Sequence, residues 1–329
     1  MNMFIDRKMT SRILLLLGIV ILFYFFSTID AKSVYSSLRS INVFLFSIAI
    51  VLTILNILLK GYRWKLIVKH LTGVNISMNL ASISILAGVA VGSLIPGRCD
   101  VAKPLMLKRI YNVSLNRTMA GMFMERILDV LALFLLFFVS AILFLNDYSS
   151  GLSAAEFVVF FLLIISIPVF FPGNCIFIFE SFVGKIPKNS SLKENLVTSF
   201  SSFIESFSIL RDKDGLWFAF LSLTAMFIET LRLYCVFTSL NIRLSLDLSI
   251  FSFCSSIIIG LMSMIPGGMG TTEFSQTEIL KQYIFVSPDI LKSAVILDRF
   301  LSYYLLILIG SIVLLTYHRF YKINKVEES

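Results

Sequence analysis

Six acids and four arginines of this chain lie inside strongly apolar stretches or at their broken ends: Asp100, Glu125, Asp129, Glu229, Glu273 and Asp298, with Arg98, Arg126, Arg232 and Arg299. Ionisable side chains in such surroundings are costly and are candidates for handling a polar ligand. A guanidinium fork suits a phosphate, and a carboxylate suits a cation or a hydroxyl. Glu125 and Asp129, at i and i+4, share a helix face, with Arg126 turned about 100° away from Glu125. Glu229 and Arg232, at i and i+3, share another face and are able to pair. For each of these sets, a structural bridge between helices is the competing reading.

Gly267, Gly268 and Gly270 precede Glu273 in the richest segment of the chain. Glycines permit left-handed backbone and close approach, so successive N–H groups are placed to form an anion nest at a helix start. Thr271 or Thr272 would cap that helix, with Glu273 in its first turn. The plainer alternative is a hairpin turn with an acidic cap. The corresponding segment, Pro96-Gly97-Arg98-Cys99-Asp100 followed by Lys103, Lys108 and Arg109, is more basic. Arg98, beside the break, suits a phosphate, whether of a lipid headgroup or a pyrophosphate. Lys108, Arg109 and Arg117 read as ordinary positive-inside charge near anionic lipids.

The elements that must hold these residues are membrane helices. Hydrophobic residues make up 57% of the 329, and mean hydropathy is +0.91, well above a soluble chain. Apolar runs of spanning length fall near 12–29, 41–59, 119–146, 154–171, 215–240 and 293–317, about 20 residues being needed at 1.5 Å each. The first follows Arg7, Lys8 and Arg12 but has no small-residue cleavage site after it, so it is expected to stay as a span. Two further runs, near 77–95 and 247–265, end in Ile-Pro-Gly.

Charge sets the topology. If both Pro-Gly runs crossed fully, Arg98, Lys103, Lys108, Arg109 and Arg117 would lie outside, against the positive-inside rule. If residues 77–110 and 249–282 instead enter and return on one side, the cytoplasmic face carries 20 Lys and Arg and the outer face 5, with Arg126, Arg232 and Arg299 embedded. The expected fold is therefore an all-α polytopic membrane protein forming a single transmembrane domain over 1–329. About six spanning helices accompany two Pro-Gly-broken re-entrant hairpins in an inverted repeat. Repeat 1 covers about 41–146, repeat 2 about 215–317, and a cytoplasmic loop near 172–214 connects them. Non-helical backbone at depth is tolerated only where protein buries it or a cavity lies beside it, so each break predicts a polar cavity.

Other signals are weak. Cys99, Cys175, Cys235 and Cys254 form no C-x-x-C pair and read as small apolar fillers, and His70 and His318 lie far apart. No P-loop, G-x-S-x-G or H-E-x-x-H motif is present. No metal, cofactor or nucleic-acid partner is expected, and a self-contained enzyme is not expected. The Asn-x-Ser/Thr triplets at Asn75, Asn112, Asn116 and Asn189 all fall on the cytoplasmic side of this topology.

Four motifs, in order, resemble the flippase-like transmembrane region of lysylphosphatidylglycerol synthases. They are Pro96-Gly97-Arg98 with Lys103-Pro104, Glu125-Arg126 with Asp129, Pro266-Gly267-Gly268-Met269-Gly270 with Glu273, and Arg299 with Tyr303 and Gly310. The resemblance spans about residues 12–317. It implies a lipid translocase in the plasma membrane that moves a polar-headed lipid, such as an aminoacyl phospholipid or a polyprenyl-phosphate-linked sugar. The aminoacyl-transferase domain of those synthases is not expected here, because the chain ends about a dozen residues after its last apolar run. Cys99-Asp100 departs from the pattern of that family, which has a glycine before the acid, and this favours Arg98 over a nest at the first hairpin.

The expected site thus comprises Arg98, Asp100, Glu125, Arg126, Asp129, Glu229, Arg232, Gly267, Gly268, Gly270, Glu273, Asp298 and Arg299, with both chain termini cytoplasmic. The main rival is a non-transporting membrane partner that presents a lipid-linked substrate to a separate glycosyl- or aminoacyl-transferase. A third reading, an intramembrane transferase acting on a polyprenyl phosphate, would need Asp100 or Glu273 as general base.

Overall fold

The computed structural model describes residues 41–95, 100–145, 171–184 and 213–327, together with scattered positions between 16 and 39 and between 197 and 207. The apolar run 154–170 and residues 96–99, which include Arg98, lie outside the described residues, as do half of the run 12–29 and most of the loop 185–212. Every element among the described residues is helical. In chain order they are α1 (Val43–Thr72), α2 (Met78–Gly92), α3 (Ala102–Tyr111), α4 (Leu115–Leu145), α5 (Pro172–Gly184), α6 (Lys213–Ser239), α7 (Leu246–Met262), a short 3-10 turn (Pro266–Gly268), α8 (Thr271–Lys281), α9 (Pro288–Arg299), a π turn (Phe300–Tyr304) and α10 (Leu305–Glu327).

Among the described residues, four helical segments are long and apolar enough to cross a bilayer: Val43–Thr72, Leu115–Leu143, Asp214–Ser239 and Pro288–Thr316. They account for four of the six runs expected to span. On α1 the exposed residues Phe44, Val51, Ile54, Leu55 and Leu58 return at helical spacing, a stripe suited to acyl chains. Helices α2 and α7 are apolar but have only 15 and 17 residues. At 1.5 Å per residue they reach roughly 23–26 Å, short of the ~30 Å hydrocarbon core. Each ends four residues before the proline of the Pro-Gly break seen in the sequence.

The chain divides into two compact units that cut across both sequence halves. One holds Met1–Leu58, Ile83–Ala102 and Phe227–Ser329; the other holds Leu59–Ser82 and Lys103–Met226. In the first unit, Asn42 Oδ1 accepts the N–H groups of Phe44 and Leu45 at 3.1 and 3.3 Å, satisfying donors that a helix start leaves open. The Asn42 N–H also donates to the Ser239 carbonyl at 2.8 Å, which ties the start of α1 to the end of α6. Beyond that tie, Ala49, Val236 and Leu301 pack as one apolar cluster with Phe46, Cys235, Leu297 and Leu305 against it.

Between α7 and α8 the backbone is left-handed at Met264 (φ 55°), Gly267 (65°), Gly268 (64°) and Gly270 (79°). A non-glycine residue there is uncommon, and Met264 marks local strain. The reversal returns α8 along α7, with the Thr272 side chain filling the place where Gly260 lacks a Cβ.

A second close approach joins α10 to α2. A Cβ at Gly310 would collide with the backbone carbonyl of Leu86, and Ala90 is also at hand. Small residues let membrane helices approach in this way. Because the obstacle is main chain, it cannot turn aside as a side chain would. Gly310→Ala is therefore expected to cost about 1–3 kcal/mol, read as a lowered melting temperature of detergent-purified protein. An unchanged melting temperature would show that α10 and α2 do not need this contact.

Candidate functional site

Two ion clusters hold most of the embedded charge, one in each unit. In the second unit Arg63 of α1 is the hub. Its Nε and Nη2 donate to Glu125 Oε1 at 3.3 and 3.0 Å, and its Nη1 and Nη2 donate to Asp129 Oδ1 and Oδ2 at 2.5 and 3.2 Å. Nη1 also reaches Ser222 Oγ on α6, and that hydroxyl donates to the Phe218 carbonyl at 2.9 Å. Lys103 of α3 supplies the remaining donor, to Glu125 Oε2 at 2.6 Å, and its ammonium lies 5.0 Å from the centre of the Trp64 ring. Glu125, Asp129, Arg63 and Lys103 are all buried.

All four carboxylate oxygens of this cluster thus accept at least one donor, and its two acids face two bases. Its charges are therefore matched without a ligand, although the adjacent Trp64 Nε1 is buried with no partner among the described residues. Arg126 stands at its edge, 4.0 Å from Asp129 with its side chain about a third exposed. Arg63, counted in the sequence among cytoplasmic charges, is buried within the protein.

In the first unit, Arg232 of α6 forks onto Asp298 of α9, Nε to Oδ1 at 2.9 Å and Nη2 to Oδ2 at 3.4 Å. Glu229, one turn earlier, accepts from Asn56 Nδ2 of α1 at 2.9 Å. The i, i+3 neighbours Glu229 and Arg232 therefore each reach to another helix. Glu273 of α8 accepts from Arg299 Nε at 3.0 Å and from the Tyr304 hydroxyl at 2.9 Å, both on Oε1. The Arg299 guanidinium lies over the Tyr303 ring, 4.9 Å from its centre.

This second cluster is incomplete. Glu273 Oε2, Arg299 Nη2, Gln276 Nε2 and Thr272 Oγ1 are buried and have no hydrogen-bond partner among the described residues. Glu273, Gln276 and Thr272 are at most 1% exposed and Arg299 is 5% exposed. Leaving one such atom unmet costs about 1–3 kcal/mol, and buried polar groups are rarely left so. The arrangement fits a polar group or ordered water that completes it.

The wiring of the two clusters is parallel. Arg63 and Asp129 are 66 residues apart, and so are Arg232 and Asp298. In each cluster, the helix after a Pro-Gly break also sends a charge to the following long helix, but with opposite sign. Lys103 meets Glu125 in one, and Glu273 meets Arg299 in the other.

Two N–H groups of the glycine segment are taken up within it. The Gly268 and Met269 N–H groups donate back to the Ile265 and Pro266 carbonyls at 2.8 and 3.4 Å. A Cβ at Gly267 would coincide with the Tyr303 hydroxyl, and one at Gly270 would strike Ile21 and the Leu22 backbone. These glycines serve close packing. The cap of α8 is Gly270, which has no side chain to make a capping bond; Thr271 is already the first residue of the helix, and its Oγ1 donates to the Gly268 carbonyl at 3.1 Å. Glu273 does lie in the first turn. Asp100 is buried. Among the described residues no group of three or more His, Cys, Asp or Glu is placed to hold a metal ion.

The family model for the lysylphosphatidylglycerol synthase TM region matches residues 12–310. The chain belongs to this family. Among its relatives is a UPF0104 membrane protein of Methanocaldococcus jannaschii, 28% identical over 230 residues, covering 68% of this chain and 92% of the relative. A UPF0104 membrane protein of Pyrococcus horikoshii is 25% identical over 293 residues, 82% of this chain and 85% of the relative. A second one from M. jannaschii is 23% identical over 329 residues, covering 94% and 95% of the two chains. Within this lysylphosphatidylglycerol synthase TM region, all four motifs noted in the sequence lie inside the matched span. Arg63 and Ser222, which those motifs did not include, complete the cluster around Glu125 and Asp129.

Proposed function

We propose that this membrane protein is a lipid translocase that moves a polar-headed lipid between leaflets and has no catalytic activity of its own. The observation that carries this reading is the incomplete cluster at Glu273 and Arg299. A charged, buried set with open donors and acceptors stands on the helix after a broken apolar segment, as transporter sites do. The family membership and the parallel wiring of the two clusters support it. In this reading the two halves are inverted repeats, and movement of one against the other exposes the site to each leaflet in turn. The protein resides in the plasma membrane with both termini in the cytoplasm. Arg98, next to the first break, contacts the lipid phosphate.

The cluster around Arg63 has the opposite character: with its carboxylates matched, it holds helices together and takes no substrate. The Arg232–Asp298 fork acts likewise.

The test is inter-leaflet movement of lysyl-phosphatidylglycerol and of a fluorescent phospholipid in vesicles reconstituted with the purified protein. Transfer clearly faster than in protein-free vesicles is expected. Lipid retained by the protein with no transfer of any lipid would replace this reading with the partner that presents a lipid-linked substrate to a separate transferase.

A further inference from the structure

The open valences of the first-unit cluster also describe the group that would close them. Glu273 Oε2 is an acceptor, while Arg299 Nη2 and Gln276 Nε2 are donors, all buried and all without a partner among the described residues. Glu273 and Gln276, at i and i+3, lie on one face of α8. The charges in this place already cancel: Arg299 faces Glu273 at 3.0 Å, and the adjacent Asp298 is matched by Arg232 at 2.9 Å.

A cationic headgroup brought here would meet the Arg299 guanidinium, and an anionic one the Glu273 carboxylate. Either would bury an unmatched charge, at a cost of several kcal/mol. A neutral hydroxyl meets neither penalty. Each hydroxyl both donates and accepts, so neighbouring hydroxyls are able to donate a hydrogen bond to Glu273 Oε2 while accepting from Arg299 Nη2 and Gln276 Nε2.

We infer that the cluster of Glu273, Gln276 and Arg299 binds a neutral, hydroxyl-rich headgroup, a sugar or polyol carried on a lipid, rather than a cationic or anionic one. The inference rests on the translocase reading for its lipid and adds the headgroup class. Tyr304, through its bond to Glu273 Oε1 at 2.9 Å, fixes the carboxylate so that Oε2 points to the headgroup. The π turn Phe300–Tyr304 follows one donor to Glu273, Arg299, and ends on the other, Tyr304. Such turns occur often at functional sites because a change of register re-aims the residues after them.

Native mass spectrometry of the full-length protein with monoglucosyl diacylglycerol, diacylglycerol, lysyl-phosphatidylglycerol and phosphatidylglycerol as probes tests this. The glucosyl lipid is expected to be retained best. Gln276→Met, which keeps side-chain length and removes the amide, is expected to weaken that retention about tenfold, the equivalent of one hydrogen bond to a polar group in a buried site. Should the variant fail to fold, the wild type still decides: its melting temperature should rise with monoglucosyl diacylglycerol and not with diacylglycerol. Excess free glucose should leave the lipid bound; displacement would assign the site to a soluble sugar and overturn the lipid part.

Preferential retention of lysyl-phosphatidylglycerol, or retention of the glucosyl lipid unaltered by Gln276→Met, would overturn the inference. Lysyl-phosphatidylglycerol moved across vesicles while the glucosyl lipid is neither bound nor moved would sink it and leave the translocase standing. Glucosyl lipid bound through Gln276 with no lipid moved would do the reverse.

Discussion

Arg63→Met is expected to leave almost no folded protein. The substitution keeps an unbranched, apolar side chain in place but strips the guanidinium from between Glu125 and Asp129, 2% and 7% exposed respectively. Asp129 loses the donors to both its oxygens, and Glu125 is left with Lys103 alone of the two cations that reach it. Breaking a buried pair costs about 3–5 kcal/mol, and here one side chain serves two acids. Total stabilities are often only about 5–15 kcal/mol. Arg63→Lys should fall between, since an ammonium is a point charge that cannot fork onto two carboxylates. Lys103→Met should be milder, because Glu125 keeps two bonds from Arg63. Size-exclusion profiles after graded heating order these variants. A monodisperse Arg63→Met protein melting within about 2 °C of wild type would contradict the hub role.

Why Arg63 escaped the sequence reading is physical. It lies between Lys60 and Lys65 and beside Trp64, a grouping that resembles the charged, aromatic end of a span. In the structure α1 continues as one helix to Thr72, and one face of that extension is buried against α4. The acids carried the missing clue: Glu125 and Asp129 on one helix face require a cation from another helix, and a fork answers both. The breaks at Ile-Pro-Gly, the short apolar arms before them and the charge-bearing arms after them were legible, since proline and glycine interrupt a helix by local chemistry. Partner choice was not. Asp298 and Arg299 are neighbours in sequence but point about 100° apart on a helix, so they serve different partners, Arg232 and Glu273. The π turn after Arg299 gave no compositional signal.

The second large effect is expected from exchanging charges at the incomplete cluster. Glu273→Arg alone buries two like charges, and so does Arg299→Glu alone. Each should destabilise by several kcal/mol. The double variant Glu273→Arg/Arg299→Glu restores an opposite pair across the same 3.0 Å contact and should regain much of the lost melting temperature. It cannot regain the site. The acceptor and donors that face the headgroup are then transposed relative to Gln276, and the Tyr304 hydroxyl loses the carboxylate it donates to. Two displaced hydrogen bonds to charged groups correspond to a fall of about a hundredfold or more in transfer. The same exchange in a purely structural bridge would restore stability and function together.

The decisive measurement is therefore the initial rate of lipid transfer between leaflets in vesicles carrying equal amounts of wild type or the Glu273→Arg/Arg299→Glu protein, each checked for folding by its melting curve. Rapid transfer by wild type and near-background transfer by a folded double variant is the predicted result. Equal transfer by both would show that Glu273 and Arg299 only bridge helices, and would contradict the assignment of this cluster to the lipid headgroup.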